Sequence, residues 1–303
     1  MQVVTIVLGP TAVGKSEIAV QLALRLGGEI ISADSRAIYK RMDIGTAKPA
    51  LELRQRITHH LIDIKEPHEP YDVVDFRKDA QVAIEKILSR GKRPLVVGGS
   101  TLYIEALTGA LFEGPSADEA LRRKLKHQPL DELYKRLQQV DPLAAQKIHP
   151  HDELRIIRAL EVYELTGVPI SKLQQASKQK LNYKFVKVGL WMQRKKLYQR
   201  INERVDAQMV RGLLDEAKAL KERLTPEMQA YKTLGYQELF HHLDGHCSLT
   251  QAIEAIKRNT RHLAKRQLTF FKRDKEIFWV DVTDKTSNQI TEEILSHLAW
   301  LTC

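Results

Sequence analysis

Val3-Val4-Thr5-Ile6-Val7-Leu8-Gly9-Pro10-Thr11-Ala12-Val13-Gly14-Lys15-Ser16 reads as a strand, a turn and the first residues of a helix, in that order. The apolar run passes directly into the pattern G-x-x-x-x-G-K-[ST]. Ile18, Ala19, Leu22, Ala23 and Leu26 then recur at helical spacing until Gly27-Gly28. Such a passage makes an anion cradle. Its glycines let backbone N–H groups turn inward, the helix start adds positive potential, a lysine reaches phosphate oxygens, and a serine hydroxyl can ligate Mg²⁺. Gly9, Pro10, Thr11, Ala12, Val13, Gly14, Lys15 and Ser16 are therefore expected to hold a phosphate chain, with Ser16 as the metal ligand.

Beyond the cradle, short apolar runs at residues 29–33, 61–64 and 94–97 alternate with helical patterns, the longest at 74–90, as in βαβ units around a parallel sheet. From residue 116 the pattern is helical only. Ser116-Ala117-Asp118-Glu119 reads as a capping box, Asp141-Pro142 as a cap before an N1 proline, and Asp152 as the cap of a helix stopped by Gly167. A strand returns at 185–191, followed by a long helix with Leu197, Ile201, Val205, Met209 and Leu213 on one side. The chain then continues as helix, strand (277–280) and helix. The expected fold is α/β: a P-loop NTPase-like parallel sheet flanked by helices over 1–115 and 185–303, with an all-helical insertion domain at 116–184.

Composition narrows the partners. Hydrophobic residues at 43% and charged residues at 28% support a folded core. Forty-eight Lys and Arg against 38 Asp and Glu give a charge of +10, which favours a polyanionic partner. Two cysteines, Cys247 and Cys303, can build neither a disulfide framework nor a four-thiolate zinc site, so a reducing, cytoplasmic setting is expected. His149 and His151, or His241, His242 and His246 beside Cys247, lack the register of a zinc site. No stretch approaches the roughly 18 apolar residues of a membrane helix. No membrane partner is expected, and a monomer is.

Three features bear on chemistry. Residues 94–97 run into Gly98-Gly99-Ser100 rather than into the carboxylate usual in an ATPase of this class. Ser100 can present a hydroxyl to a ligand or cap the next helix. Asp34 ends the second strand on the cradle's edge, where it can be a general base, hold a metal's water or close an Asx turn. Arg200 and Arg204 share a helix face and can clamp a diphosphate or lie solvated. Lys257, Arg261 and Lys265 repeat every four residues, near Arg258, Arg266, Lys272, Arg273 and Lys275. Arg122, Arg123, Arg155 and Arg158 form a second basic set. Two basic sets beside a phosphate site favour nucleic acid as the partner.

Taken together, GPTAVGKS, DSRAIYKRMDIGTAKP, HHLIDI, YDVVDFRKDA, VVGGSTLYIEAL, HPHDELRIIRALEVYELTG, GYQEL and TRHLAKRQLTFFKR resemble, in order and spacing, the bacterial tRNA dimethylallyltransferases, also called tRNA isopentenyltransferases. The resemblance covers nearly the whole chain. It implies transfer of the dimethylallyl group from dimethylallyl diphosphate to N6 of the tRNA adenine just 3′ of the anticodon. The residues from Gly9 to Ser16 would then hold the diphosphate with Mg²⁺. Asp34 would take the amine proton, Ser100 would stand where many members have Thr, and Arg204, in R-I-x-x-R-V, would steady the leaving diphosphate. Contacts to the anticodon stem-loop of tRNA are implied for Asp34, Ser35, Arg36, Ala37, Ser100 and Arg122, and for Leu154, Arg155, Ile156, Ile157 and Arg158. Further along they are implied for Lys232, Thr233, Leu234, Gly235, Tyr236 and Gln237, and for Asn259, Thr260, Arg261, His262, Leu263, Ala264, Lys265 and Arg266. Arg36 stands where many members have Gln. Three other readings use the same residues: a small-molecule kinase consuming ATP without RNA, an adenylate prenyltransferase, and a noncatalytic RNA-binding protein. The helical insertion and basic segment argue against the adenylate enzyme, since AMP needs neither.

Overall fold

The computed structural model describes residues 1–109, 114–176 and 181–300. The chain divides into two compact units, Met1–Ala106 with Asn182–Cys303, and Leu107–Leu181.

In the first unit the strands are β1 (Val3–Leu8), β2 (Gly28–Ala33), β3 (His59–His60), β4 (Arg93–Gly98), β5 (Lys184–Trp191) and β6 (Phe278–Asp281). They form one sheet in the order β3-β2-β4-β1-β5-β6, with every pairing parallel. Val4, Ile6, Val7 and Leu8 are all fully buried. A central parallel strand is continuously apolar because helices cover both faces of its sheet. Register fixes the functional edge: Leu8 lies opposite both Gly98 and Gly189, and Gly98 opposite Ala33. Gly9, Asp34 and Gly99 therefore leave the sheet at one level, where ligands of open α/β sheets bind.

The helices of this unit are α1 (Lys15–Leu26), α2 (Leu51–Arg56), α3 (Val73–Ser89) and α4 (Thr101–Thr108), the last reaching past Ala106. Those of the second unit are α5 (Glu119–Lys126), α6 (Leu130–Val140), α7 (Pro142–Ala145), α8 (Glu153–Thr166) and α9 (Ile170–Ala176). The first unit then resumes with α10 (Arg194–Val210), α11 (Leu213–Lys221), α12 (Tyr236–Leu243), α13 (Leu249–Phe271) and α14 (Ser287–Trp300). Among the described residues no helix is long and apolar enough to cross a membrane.

Three local expectations are corrected. Residues 61–64 are not a strand: Leu61 (φ 60°) and Asp63 (φ 57°) are left-handed, which ends extended pairing after His60. The helix expected through Leu213 stops at Val210, turns at Gly212 and restarts as α11. In the second unit the cap of α5 is Asp118 rather than Ser116, because the Asp118 carboxylate accepts from the N–H groups of Ala120 and Leu121. Asp141 and Asp152 cap α7 and α8 as expected, and Gly167 ends α8. Cys247 is a free, half-buried thiol, and Cys303 lies outside the described residues.

The second unit packs Leu125, Leu133, Leu137, Ile156, Leu160 and Val162 into its own core. Glu161 lies in this core with no exposed side-chain surface. Its carboxylate accepts from Arg122 Nε at 2.9 Å, Arg122 NH2 at 3.1 Å, Arg158 NH1 at 2.6 Å and the Asp118 N–H at 2.8 Å. Burial would raise its pKa, but these donors outweigh that and hold it below the ordinary glutamate value.

Candidate active site

The cradle's shape follows from its glycines. Gly9 leaves β1 so close to β5 that a Cβ would sit 2.5 Å from the Leu190 carbonyl oxygen, and Gly14 turns into α1 at φ 103°. Lys15 lies folded over the loop, its Nζ donating to the carbonyls of Gly9 at 3.0 Å and Pro10 at 2.7 Å. Burial lowers the lysine's pKa to about 8. Asp34 nearby opposes this shift, and Arg204 adds to it.

Asp34 closes an Asx turn and keeps one oxygen open. Its Oδ1 accepts from the N–H groups of Arg36 at 2.9 Å and Ala37 at 3.3 Å, while Oδ2 accepts no hydrogen bond from the described residues. The Ser100 hydroxyl accepts from the Ser35 N–H at 3.0 Å, tying the end of β4 to the turn after β2. The Ser100 carbonyl opens α4 by accepting from Ile104 N–H.

Leu197, Ile201 and Val205 anchor α10 in the core, which turns Arg200 and Arg204 towards the cradle. Arg204 NH1 donates to Thr11 Oγ1 at 3.4 Å, and a Cβ on Gly14 would lie 3.8 Å from the Arg200 guanidinium. Burial pushes the Arg204 pKa down against the pull of Asp34, and Arg200 pushes it further down. Neither arginine has an ion-pair partner among the described residues. Both arginines thus lie beside the cradle.

Several supporting residues escaped the sequence reading. Gln267 on α13 accepts the Thr11 N–H at 2.8 Å and donates to the Gly99 carbonyl at 2.8 Å. Glu216 on α11 accepts from the N–H groups of Asp43 at 2.9 Å and of Ile44 and Gly45 at 3.0 Å, and from the Tyr236 hydroxyl at 2.6 Å. Gln208 binds the Ile44 carbonyl of the same loop. Lys48 joins that loop to Asp43 and Asp63. The cleft beside the cradle is open to solvent on one side. Lys15, Ser16 and Asp34 supply polar groups to it, and Ala19, Ile30, Ile62 and Val97 supply an apolar wall. This lining suits a phosphorylated group that carries a short apolar chain.

The residues expected to meet RNA divide sharply. Lys232, Gln237, His262, Lys265 and Arg266 are exposed, and in the second unit so are Leu154 and Arg155. The side chains of Thr233, Tyr236 and Ala264 are buried, as are Ile156 and Ile157 in the second unit's core, so these positions offer no side-chain surface to RNA. Ser35, Arg36, Leu234, Asn259, Thr260, Arg261 and Leu263 are half-buried, and Ala37 and Gly235 are buried. Arg36 donates to the Gln229 carbonyl at 2.9 Å, and Asn259 to Glu238 at 2.8 Å.

The basic stripe needs correction. Lys257 pairs with Asp206 at 2.8 Å and Arg261 donates to Asn202 at 2.7 Å, so both face α10. The solvent face of α13 instead carries Arg258, His262, Lys265 and Arg266. Arg122 and Arg158 are likewise engaged by Glu161.

Ser16 and Asp34 bring a hydroxyl and a carboxylate to one cleft, and hard oxygen donors of this kind suit Mg²⁺. Among the described residues no three or more His, Cys, Asp or Glu side chains converge.

A parallel sheet whose first strand-to-helix turn is a phosphate cradle, with lysine, arginines and a carboxylate on the same edge, defines a P-loop-type phosphate-binding protein. The family model described as IPP transferase matches residues 37–274. The chain belongs to this family. It is 48% identical over 286 residues to a tRNA dimethylallyltransferase of Geobacillus kaustophilus, covering 93% of this chain and 91% of that one. The crystal structure of the full-length tRNA isopentenylpyrophosphate transferase from Bacillus halodurans is similar at a TM-score of 0.75 and 41% identity, covering 98% and 95% of the two chains. A eukaryotic dimethylallyltransferase, captured in crystallographic snapshots acting on tRNA, is similar at a TM-score of 0.81 and 32% identity, covering 94% of this chain and 75% of that one.

Proposed function

We propose that the chain transfers the dimethylallyl group from dimethylallyl diphosphate to N6 of adenine-37 in tRNA, next to the anticodon, giving N6-dimethylallyladenosine and diphosphate. The observation that carries this reading is the cradle, Arg204 and the open oxygen of Asp34 on one edge of the sheet.

Cleavage of the allylic C–O bond leaves negative charge on the departing diphosphate. The backbone N–H groups of the cradle from Ala12 to Ser16, with Lys15, Arg200 and Arg204, would stabilise that charge most in the transition state. The cradle then holds a leaving group rather than an energy source. Mg²⁺, held by Ser16 and the diphosphate itself, would supply further charge neutralisation. Asp34 Oδ2 would take the proton from the exocyclic amine as the new C–N bond forms. A stacked anticodon-loop base cannot reach this carboxylate, so the adenine must be flipped out. The exposed face of α13 would follow the RNA backbone, and Leu154 and Arg155 would add contacts from the helical unit. The chain would act as a monomer, in the cytoplasm with its tRNA.

The test is incubation with unmodified tRNA and radiolabelled dimethylallyl diphosphate, followed by nucleoside analysis. Labelled N6-dimethylallyladenosine is expected. ATP consumption without RNA, and no labelled nucleoside, would point to the kinase reading.

A further inference from the structure

Gln267 is buried behind the cradle, and neither diphosphate binding nor proton transfer uses it. Its amide has one acceptor and one donor, and each is bound to the main chain of a different strand-to-helix turn. Oε1 takes the Thr11 N–H of the cradle, and Nε2 gives to the Gly99 carbonyl after β4, both at 2.8 Å. The three segments touch: a Cβ on Gly99 would lie 2.6 Å from Gln267 Nε2 and 3.1 Å from the Gly9 carbonyl oxygen. Gly99 precedes Ser100, whose hydroxyl holds the Ser35 N–H beside Asp34. Thr11 is held from its other side by Arg204. A continuous chain of hydrogen bonds therefore runs from the arginine at the leaving group, through Thr11, Gln267 and the β4 turn, to the carboxylate edge.

We infer that Gln267 is a positioning residue that sets the spacing between the phosphate cradle and the Asp34–Ser100 edge, and so the alignment of the allylic carbon with the attacking amine. The role rests on the prenyl-transfer reading. A primary amide can donate to one turn and accept from the other at once, through two atoms held apart on a planar group. A carboxylate here could not donate to Gly99 and would put negative charge beside the anion cradle. Reactions of this kind are sensitive to displacements of about 1 Å, which cost on the order of 100-fold in rate.

Gln267→Met keeps the length and bulk of the side chain and removes both hydrogen bonds. Gln267→Asn keeps the amide on a shorter arm that can serve one turn at a time. Each variant is compared with the wild-type enzyme in steady-state transfer to unmodified tRNA, with calorimetric binding of inorganic pyrophosphate measured separately. Gln267→Met should lower kcat by about 10- to 100-fold while pyrophosphate affinity and KM for tRNA stay within about threefold. Gln267→Asn should lie between, and it carries the test if Gln267→Met does not fold. Wild-type kcat in either folded variant would overturn the inference, as would a loss confined to pyrophosphate or tRNA affinity. A wild-type enzyme that forms no prenylated nucleoside would overturn the functional reading itself, which separates the two failures.

Discussion

Arg122 and Arg158 of the helical unit and Arg200 and Arg204 of the sheet unit are both sets of arginines near helix surfaces, yet the protein treats them differently. Glu161 neutralises the first pair from inside its own core, at 2.6 to 3.1 Å. The second pair lies against the glycine loop with no ion pair to a carboxylate among the described residues. Internal neutralisation gives an arginine a structural part, whereas arginines gathered beside a nest of N–H groups are suited to an anion from outside.

The largest effect expected concerns Asp34, whose charge acts on Arg204 of the second pair. Asp34→Ala should lower turnover by about 10² to 10⁴ with tRNA affinity unchanged, as read by single-turnover transfer and filter binding. An equal loss of affinity would make Asp34 a docking residue and blur the contrast. In the helical unit, Glu161→Ala leaves two guanidinium groups without their partner and should cost about 3–5 kcal/mol in urea unfolding. Unchanged unfolding would show that Arg122 and Arg158 are not held by it.

Lys15 sharpens the contrast through pH. Burial keeps its pKa near 8 in the unliganded enzyme, so the charged form is depleted as pH rises past that value. A bound diphosphate favours the charged lysine. Affinity for dimethylallyl diphosphate should therefore hold below pH 8 and fall above it, and the break should vanish in Lys15→Ala. Calorimetry across pH checks both. The smallest effects distinguish the two sides of α13. Lys265→Ala and Arg266→Ala should each reduce the salt slope of tRNA binding by about 1. Lys257→Ala, on the side paired with Asp206, should leave that slope unchanged.

What could be read from sequence was local. The cradle needs fixed residue types at fixed spacing, and the strand and helix around it follow from short-range pattern, so β1, α1 and the position of Asp34 were legible. Residues 61–64 misled because apolar content alone does not reveal two left-handed backbones. Helical period put Lys257, Arg261 and Lys265 in one stripe of α13, but did not reveal that Asp206 and Asn202 of α10 engage the first two while Lys265 stays exposed. Gln267 did leave a trace: it is a polar residue on the buried side of α13 with Ile256, Ala264 and Phe271. A polar group at a core position needs partners, and here they lie 256 and 168 residues away along the chain.

The Glu216 carboxylate has a consequence for selectivity. By occupying the N–H groups of Asp43, Ile44 and Gly45, it acts as a built-in decoy anion: a second concave set of amides that could compete for phosphate is already filled by the protein itself. In the proposed reaction, incoming diphosphate would thereby be directed to the glycine turn at Lys15, and the neighbouring wall of the cleft would be left to recognise the hydrocarbon tail.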